Sequence, residues 1–212
     1  MSPTVAILLK APTAGAVKTR LAATVGTREA VRIYRRLAEC QLRAVPADWS
    51  AAVHYAPAGS AAEMRRWLAP LRADLRFTPQ SDGNLGRRIA AAFAAEFARG
   101  ACGVIAVGGD CPRLDESVLR EARRALATVE VVLGPATDGG YYLIGLRQPR
   151  ANLFAGVAWS TPQVLPQTRA KILAESLSVA ELRQLDDVDD EAGWHRAVAA
   201  DRRLQQRTRG DE

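Results

Sequence analysis

Apolar and polar positions along this chain switch repeatedly between two periods. Residues 4–9 form an unbroken apolar run with β-branched content, the pattern of a strand buried on both faces. Residues 27–44 then place Val31, Tyr34, Leu37, Ala38 and Gln41 on one face at helical spacing, with Thr27 positioned to cap the helix. The alternation continues. A strand is expected over residues 51–56, a helix over 61–71, a short strand over 74–77 and an amphipathic helix over 85–99, where Ile89, Phe93 and Phe97 are four apart. A strand over 103–107 and a helix over 116–127, capped by Asp115, come next. Strands follow at 129–133 and 141–146. Thr161 and Pro162 read as N-cap and first residue of another helix. A last strand over 182–185, a final helix over 191–204 and a frayed tail over 205–212 complete the prediction.

Such a β-α-β-α rhythm argues an α/β fold, a mostly parallel sheet flanked by helices. The predicted strands at 129–133 and 141–146 are joined by too short a loop for a parallel crossover, so the sheet becomes mixed there. No linker, repeat or low-complexity stretch interrupts the chain. A single domain over residues 1–204 is the expectation.

Composition narrows the class. With 212 residues, 48% hydrophobic and 25% charged, the chain has the material for a substantial core. Its three cysteines, Cys40, Cys102 and Cys111, have no CxxC spacing and indicate neither a disulfide framework nor a zinc site. A reducing, cytoplasmic compartment is expected. The first residues lack the pattern of a signal peptide, and the apolar run near the start is too short to cross a bilayer. Net charge is +6, which suits anionic ligands. Many arginines occur as pairs on predicted helices (Arg35-Arg36, Arg65-Arg66, Arg87-Arg88), the pattern of a solvated basic face. Only 6% of residues are aromatic, too few for a base-stacking platform, so neither a nucleic acid nor a membrane is the expected partner.

Five segments could carry chemistry. The first, from Lys10 to Leu21, follows a strand; Gly15 permits a tight turn, while Lys18 and Arg20 supply a point charge and a planar fork suited to phosphate. It is not a Walker A loop, because Val17 precedes the Lys-Thr pair. An ordinary loop with two solvated cations would look the same. The second, Gln80 to Arg87, has Gly83 and Gly86 ahead of a helix, an anion-friendly arrangement or equally a helix cap by Asp82 or Asn84. The third is Gly108-Gly109-Asp110-Cys111-Pro112, a lone carboxylate at the carboxyl end of a central strand, where open α/β sheets bind ligands. Hard divalent cations take such oxygen ligands, so Asp110 is the first metal candidate. The fourth places Asp138, Gly139, Gly140 and Tyr141 at a strand mouth, as a ligand-facing turn or a tight hairpin. The fifth is the acidic run at residues 186–191, which either complements a helix dipole or contributes a second metal ligand. His54 and His195 are isolated, and Cys111 has no histidine nearby in sequence to activate it.

Taken in order, KAPTAGAVKTRL, QSDGNLGRRIAAAF, GGDCPRL, GPATDGGYYLIGL and DVDDEAGW resemble a family of GT-A-superfamily transferases associated with radical-SAM proteins. That family is related to the nucleotidyltransferases for molybdenum cofactor and 2-phospholactate. The resemblance implies a GT-A, Rossmann-like three-layer α/β/α sandwich and a Mg²⁺ or Mn²⁺ ion. It implies a nucleotide held by Lys10, Pro12, Gly15, Lys18, Arg20, Gln80, Gly83 and Gly86. It makes Lys18, Arg20 and Asp110 the catalytic set, Asp110 and Asp189 the metal ligands, and Asp138, Gly139, Gly140 and Tyr141 the acceptor side. The lone acid in Gly-Asp-Cys-Pro departs from the Asp-X-Asp of many glycosyltransferases and is closer to nucleotidyltransferases. The expected function is transfer of a nucleotidyl or sugar group from a nucleoside triphosphate or nucleotide-sugar to a small-molecule acceptor. A non-catalytic nucleotide sensor is the alternative. Oligomeric state is open, a homodimer included.

Overall fold

A computed structural model describes residues 2–201 and 204. Among them, seven strands form one sheet in the order β3-β2-β1-β4-β6-β5-β7. The strands are β1 Thr4–Lys10, β2 Ala51–Ala56, β3 Arg76–Pro79, β4 Val104–Val107, β5 Val131–Pro135, β6 Tyr141–Leu146 and β7 Val179–Glu181. Strands β3, β2, β1 and β4 are parallel, and β7 is parallel to β5. Only β6 runs against its neighbours β4 and β5, which makes the sheet mixed at the expected place.

Alternation along β1 builds two faces. Val5, Ile7 and Leu9 join the core beneath α2 (Thr27–Ala44), α3 (Ala61–Leu68) and α5 (Glu116–Leu126). Ala6 joins the opposite core, filled by Ile89 and Phe93 of α4 (Leu85–Ala98) and by Leu165 and Ile172 of α6 (Val164–Ala174). The result is three layers, α/β/α, with apolar side chains of both sheet faces removed from water. A third cluster joins α2 to two short helices, α1 (Thr19–Val25) and α7 (Glu191–Ala200), through Leu21, Ile33, Leu37 and Trp194.

Several element boundaries differ from the expectation. The helix α1 sits where only a loop was foreseen, because it has no side-chain cap and its N-cap, Lys18, is left-handed with φ 48°. Burial of Leu21 against α2 and α7 stabilises it instead. Thr27 is the first helical residue of α2 and Gly26 the cap, so the expected threonine cap is absent. Thr161 and Pro162 lie in the turn before α6: the Thr161 hydroxyl donates to the Ala158 carbonyl, and the helix begins at Val164. The last strand is Val179–Glu181 rather than 182–185, from which only Leu185 makes a bridge, to Ala136. The final helix stops at Ala200, and the predicted tail over 205–212 lies outside the described residues. Asp115 and Asn84 do cap their helices, accepting from the Val118 and Arg87 amides.

Candidate functional site

The strand order makes a crevice before any side chain is considered. From β1 the chain builds outward through β2 and β3, then returns to add β4 on the other side of β1. The loops leaving the carboxyl ends of β1 and β4 therefore diverge, and open sheets bind ligands at such a switch point. A cavity of about 450 Å³ lies there, lined among others by Lys10, Lys18, Arg20, Gln80, Asp110 and Asp189.

Three distant segments converge on it. Asp110 ends the loop after β4, where Gly109 packs so closely on Leu9 that an added Cβ would sit 2.5 Å from Leu9 Cδ2. Gln41 of α2 donates to the Cys111 carbonyl and anchors the same loop. The acidic segment is tied in by a backbone bond from the Val188 amide to the Asp110 carbonyl (3.0 Å). It is also held by the Ala136–Leu185 bridge and by the Thr137 amide donating to the Leu185 carbonyl. Asp189 thereby comes to the crevice from nearly 80 positions away in sequence, about the separation the chain needs to wrap three more strands.

Lys18 links these acids. Its ammonium is 3.0 Å from Asp110 Oδ1 and 3.7 Å from Asp189 Oδ1, and it donates to the Val188 carbonyl. Its side chain is only 6% exposed, whereas Arg20, 3.7 Å from Asp189 Oδ2, is 82% exposed. Asp110 Oδ1 is buried and, beyond the Lys18 ammonium, has no polar partner among the described residues. Asp187, unassigned in the sequence reading, is a further acid in this field. Burial, then the Asp110 and Asp138 carboxylates, push its carboxyl up to about 7, against the pull of Lys18. Single-residue logic did not distinguish it from its acidic neighbours; the desolvation of its carboxyl does.

Two other lining residues were missed. Tyr34 of α2 brackets Lys10: its hydroxyl accepts from the Lys10 amide (2.8 Å) and donates to the Lys10 carbonyl (2.9 Å). Burial, followed by the Asp110 charge, raises its phenol far above the ordinary range. Helical spacing marked Tyr34 as core, which it also is. Arg88, whose pairing with Arg87 suggests a solvated face, lines the cavity and donates through Nε to the Gly83 carbonyl (3.0 Å).

The remaining candidates divide. Gln80 lines the cavity with its amide nitrogen donating to the Leu9 (3.1 Å) and His54 (2.7 Å) carbonyls. Both partners are acceptors, so the amide NH₂ faces them and Oε1 is the free end. Pro12, Gly15, Gly83 and Gly86 are not among the lining residues. Gly15 and Gly83 supply positive φ to their loops (79° and 108°). Gly86 is small because an added Cβ would meet Trp159 Nε1 at 2.3 Å and the Phe154 carbonyl at 2.5 Å, a packing requirement rather than a cavity wall. Asp138 is exposed and accepts from the Gly140 amide (2.8 Å), closing the β5–β6 hairpin. Gly139 has φ 87°, with the Pro162 carbonyl oxygen 2.5 Å from where its Cβ would be. Both glycines are thus explained by the turn and its packing. Tyr141 stacks edge-on against Trp159, while Tyr142 on the other face is core. Cys111 is no nucleophile near neutral pH, since burial pushes its thiol far up.

The oxygens of Asp110 and Asp189 form a donor set fit for a hard cation. Both lie within 4 Å of one positive centre, the Lys18 ammonium, which is the partner a cation would replace at Asp110 Oδ1. Among the described residues no cluster of three His, Cys, Asp or Glu side chains makes a protein-only cage, so substrate oxygens would complete the shell, as Mg²⁺ sites commonly require. No helix among the described residues is long and apolar enough to cross a membrane.

Comparison with known proteins agrees with this architecture. Residues 40–161 match the family described as uncharacterized protein conserved in bacteria (DUF2064). A candidate nucleotide-diphospho-sugar transferase from Desulfovibrio desulfuricans G20 is 31% identical, with TM-score 0.81 over 90% of this chain and 84% of that one. The inositol-1-phosphate CTP transferase from T. maritima shares the fold at 13% identity and TM-score 0.59, over 99% of this chain and 98% of that one. So does Rv0371C from Mycobacterium tuberculosis H37Rv, solved in complex with manganese, at 16% identity and TM-score 0.53, over 94% and 100% of the two chains. None of the curated proteins matches the chain.

Proposed function

This chain belongs to the DUF2064 family, and from that membership and the site above we propose that it is a divalent-metal-dependent transferase acting on a nucleotide. The observation carrying the reading is the meeting of Lys18, Asp110 and Asp189 at the switch-point crevice. The names of the fold neighbours, a nucleotide-sugar transferase and a CTP transferase, support the same substrate class.

Asp110 and Asp189 would hold Mg²⁺ or Mn²⁺. Bound there, the ion would neutralise charge on the substrate phosphates. The protein's own groups do the rest. Lys18, Arg20 and Arg88 attract and orient the phosphates, with Arg20 and Arg88 offering forked donors. Tyr34 holds the Lys10 backbone at the cavity wall. Leu8, Leu9 and Leu85 give the nucleoside an apolar surface, and Gln80 Oε1 accepts from a base N–H. Asp138, exposed on the β5–β6 turn that Gly139 and Gly140 shape, would face the acceptor, with Tyr141 following in sequence. In nucleotidyl transfer an acceptor oxygen attacks the α-phosphorus, and the bond to pyrophosphate breaks. In sugar transfer the acceptor attacks the anomeric carbon, and a nucleoside diphosphate leaves. Either way, positioning and electrostatics supply the catalysis.

The test is thermal unfolding against a panel of nucleoside triphosphates and nucleotide-sugars, each with and without Mn²⁺. A metal-dependent rise in Tm identifies the substrate class, and release of pyrophosphate or nucleoside diphosphate then identifies the reaction. Stabilisation without turnover across an acceptor panel would favour a nucleotide sensor. No stabilisation by any nucleotide would refute the proposal.

A further inference from the structure

The site's acids are neutralised from within. The Lys18 ammonium stands between the two carboxylates that would receive the metal, bonded also to the Val188 carbonyl, and Arg20 meets the outer oxygen of Asp189. We infer that Lys18 is an internal competitor for the metal position: the divalent cation loads with the nucleotide, not before it. The inference rests on the metal reading given above and adds to it an order of binding.

The argument is one of place and charge. Lys18 is not a wandering surface lysine. Its backbone is held in a left-handed conformation at the start of α1, its side chain is 6% exposed, and three oxygens from two segments surround its nitrogen. A dication entering beside Asp110 would meet that ammonium at contact distance. Like charges so close repel strongly where water is partly excluded. Protein alone therefore offers a metal little net negative charge. A polyphosphate changes the balance, because it gives Lys18 and Arg20 new anionic partners and draws them from the acids. The two vacated carboxylates then accept the cation. Coupling of this kind is reciprocal: nucleotide tightens metal binding and metal tightens nucleotide binding by the same factor. The protein gains a site that does not capture metal ions idly.

The experiment measures Mn²⁺ binding to the full chain without nucleotide, by the electron paramagnetic resonance signal of free Mn²⁺. Wild type is compared with Lys18→Gln, which can keep donating to the Val188 carbonyl, with Lys18→Met, which cannot, and with Lys18→Gln/Asp110→Asn. Thermal unfolding verifies that each variant is folded. Both single variants are expected to bind Mn²⁺ at least tenfold more tightly than wild type, and the double variant to lose the gain. If neither folded single variant binds Mn²⁺ more tightly, the competition is overturned. Stabilisation of the wild type by the nucleotide panel plus Mn²⁺ separates the two ideas. If no nucleotide stabilises it, the functional reading falls. If one does while the Lys18 variants gain nothing for Mn²⁺ alone, only the order of binding falls.

Discussion

Asp110→Asn tests the site most directly, because it removes a charge while keeping a shape. Among the described residues the Lys18 ammonium is the one polar partner of Asp110 Oδ1, so the substitution weakens that ion pair and strips away no other bond. Lys18 is not left alone either, since Asp189 Oδ1 stays 3.7 Å away and the Val188 carbonyl still accepts from it. The lost ion pair is half exposed on the Asp110 side, 41%, so its contribution to stability is discounted for solvent to about 1 kcal/mol or less. In a domain of this size that is a Tm change of roughly 2–4 °C. The backbone contacts that shape the loop, Val188 to Asp110 and Gln41 to Cys111, do not involve the carboxylate. Catalysis should respond quite differently. A carboxylate that holds the cation set against the reacting phosphates is worth about 10²–10³ in rate. The assay is turnover of the nucleotide identified by thermal shift, alongside calorimetric unfolding of the same preparation. Wild-type turnover in the variant would remove Asp110 from the mechanism. A Tm loss above about 10 °C would make it a structural residue and refute the reasoning from its half-exposed ion pair.

Three further outcomes are expected. Arg88→Ala should weaken nucleotide binding about 10- to 100-fold, the value of one or two charge-assisted hydrogen bonds, with Tm nearly unchanged, as titration calorimetry would read. Gly139→Ala should cost about 2–4 kcal/mol in chemical denaturation, because the new Cβ meets Pro162 backbone at 2.5 Å and φ is 87°; a neutral result would refute the packing account of this glycine. Glu96, 0% exposed, is pushed up by burial, but hydrogen bonds from His54 and Arg76 win and hold its carboxyl below the usual range. A lowered folded value stabilises the protein above the ordinary carboxylate pKa, about 4.3, and the stabilisation fades as pH falls through the folded value. Glu96→Ala should therefore cost about 3–5 kcal/mol at neutral pH and much less near pH 3; a pH-independent loss in urea unfolding would contradict this.

Much of the architecture was legible from local pattern. The strand at residues 51–56, the strand at 141–146 and the helix body of α2 fall where periodicity puts them, since each buries a continuous apolar face. The antiparallel step at β6 followed from loop length alone. What failed was local chemistry overruled by packing. The helix α1 has no cap signal and exists because Leu21 finds α2 and α7. The Thr161-Pro162 pair has the signal of a helix start but spends its hydroxyl on the Ala158 carbonyl.

Residue types alone determined the alternating fold class and the list of acids and cations with phosphate and metal chemistry. They left the acids in the 186–191 run alike, and only the family resemblance pointed to Asp189. The tertiary structure shows which of them reach the crevice. The Val188–Asp110 backbone bond brings Asp189 to Lys18, Tyr34 and Arg88 join the cavity wall, and Gly83, Gly86 and Gly139 are assigned to turns and packing. The reason is physical: short-range pattern records which face of an element seeks burial, whereas a site is a set of contacts between segments whose separation in sequence carries no trace of their distance in space.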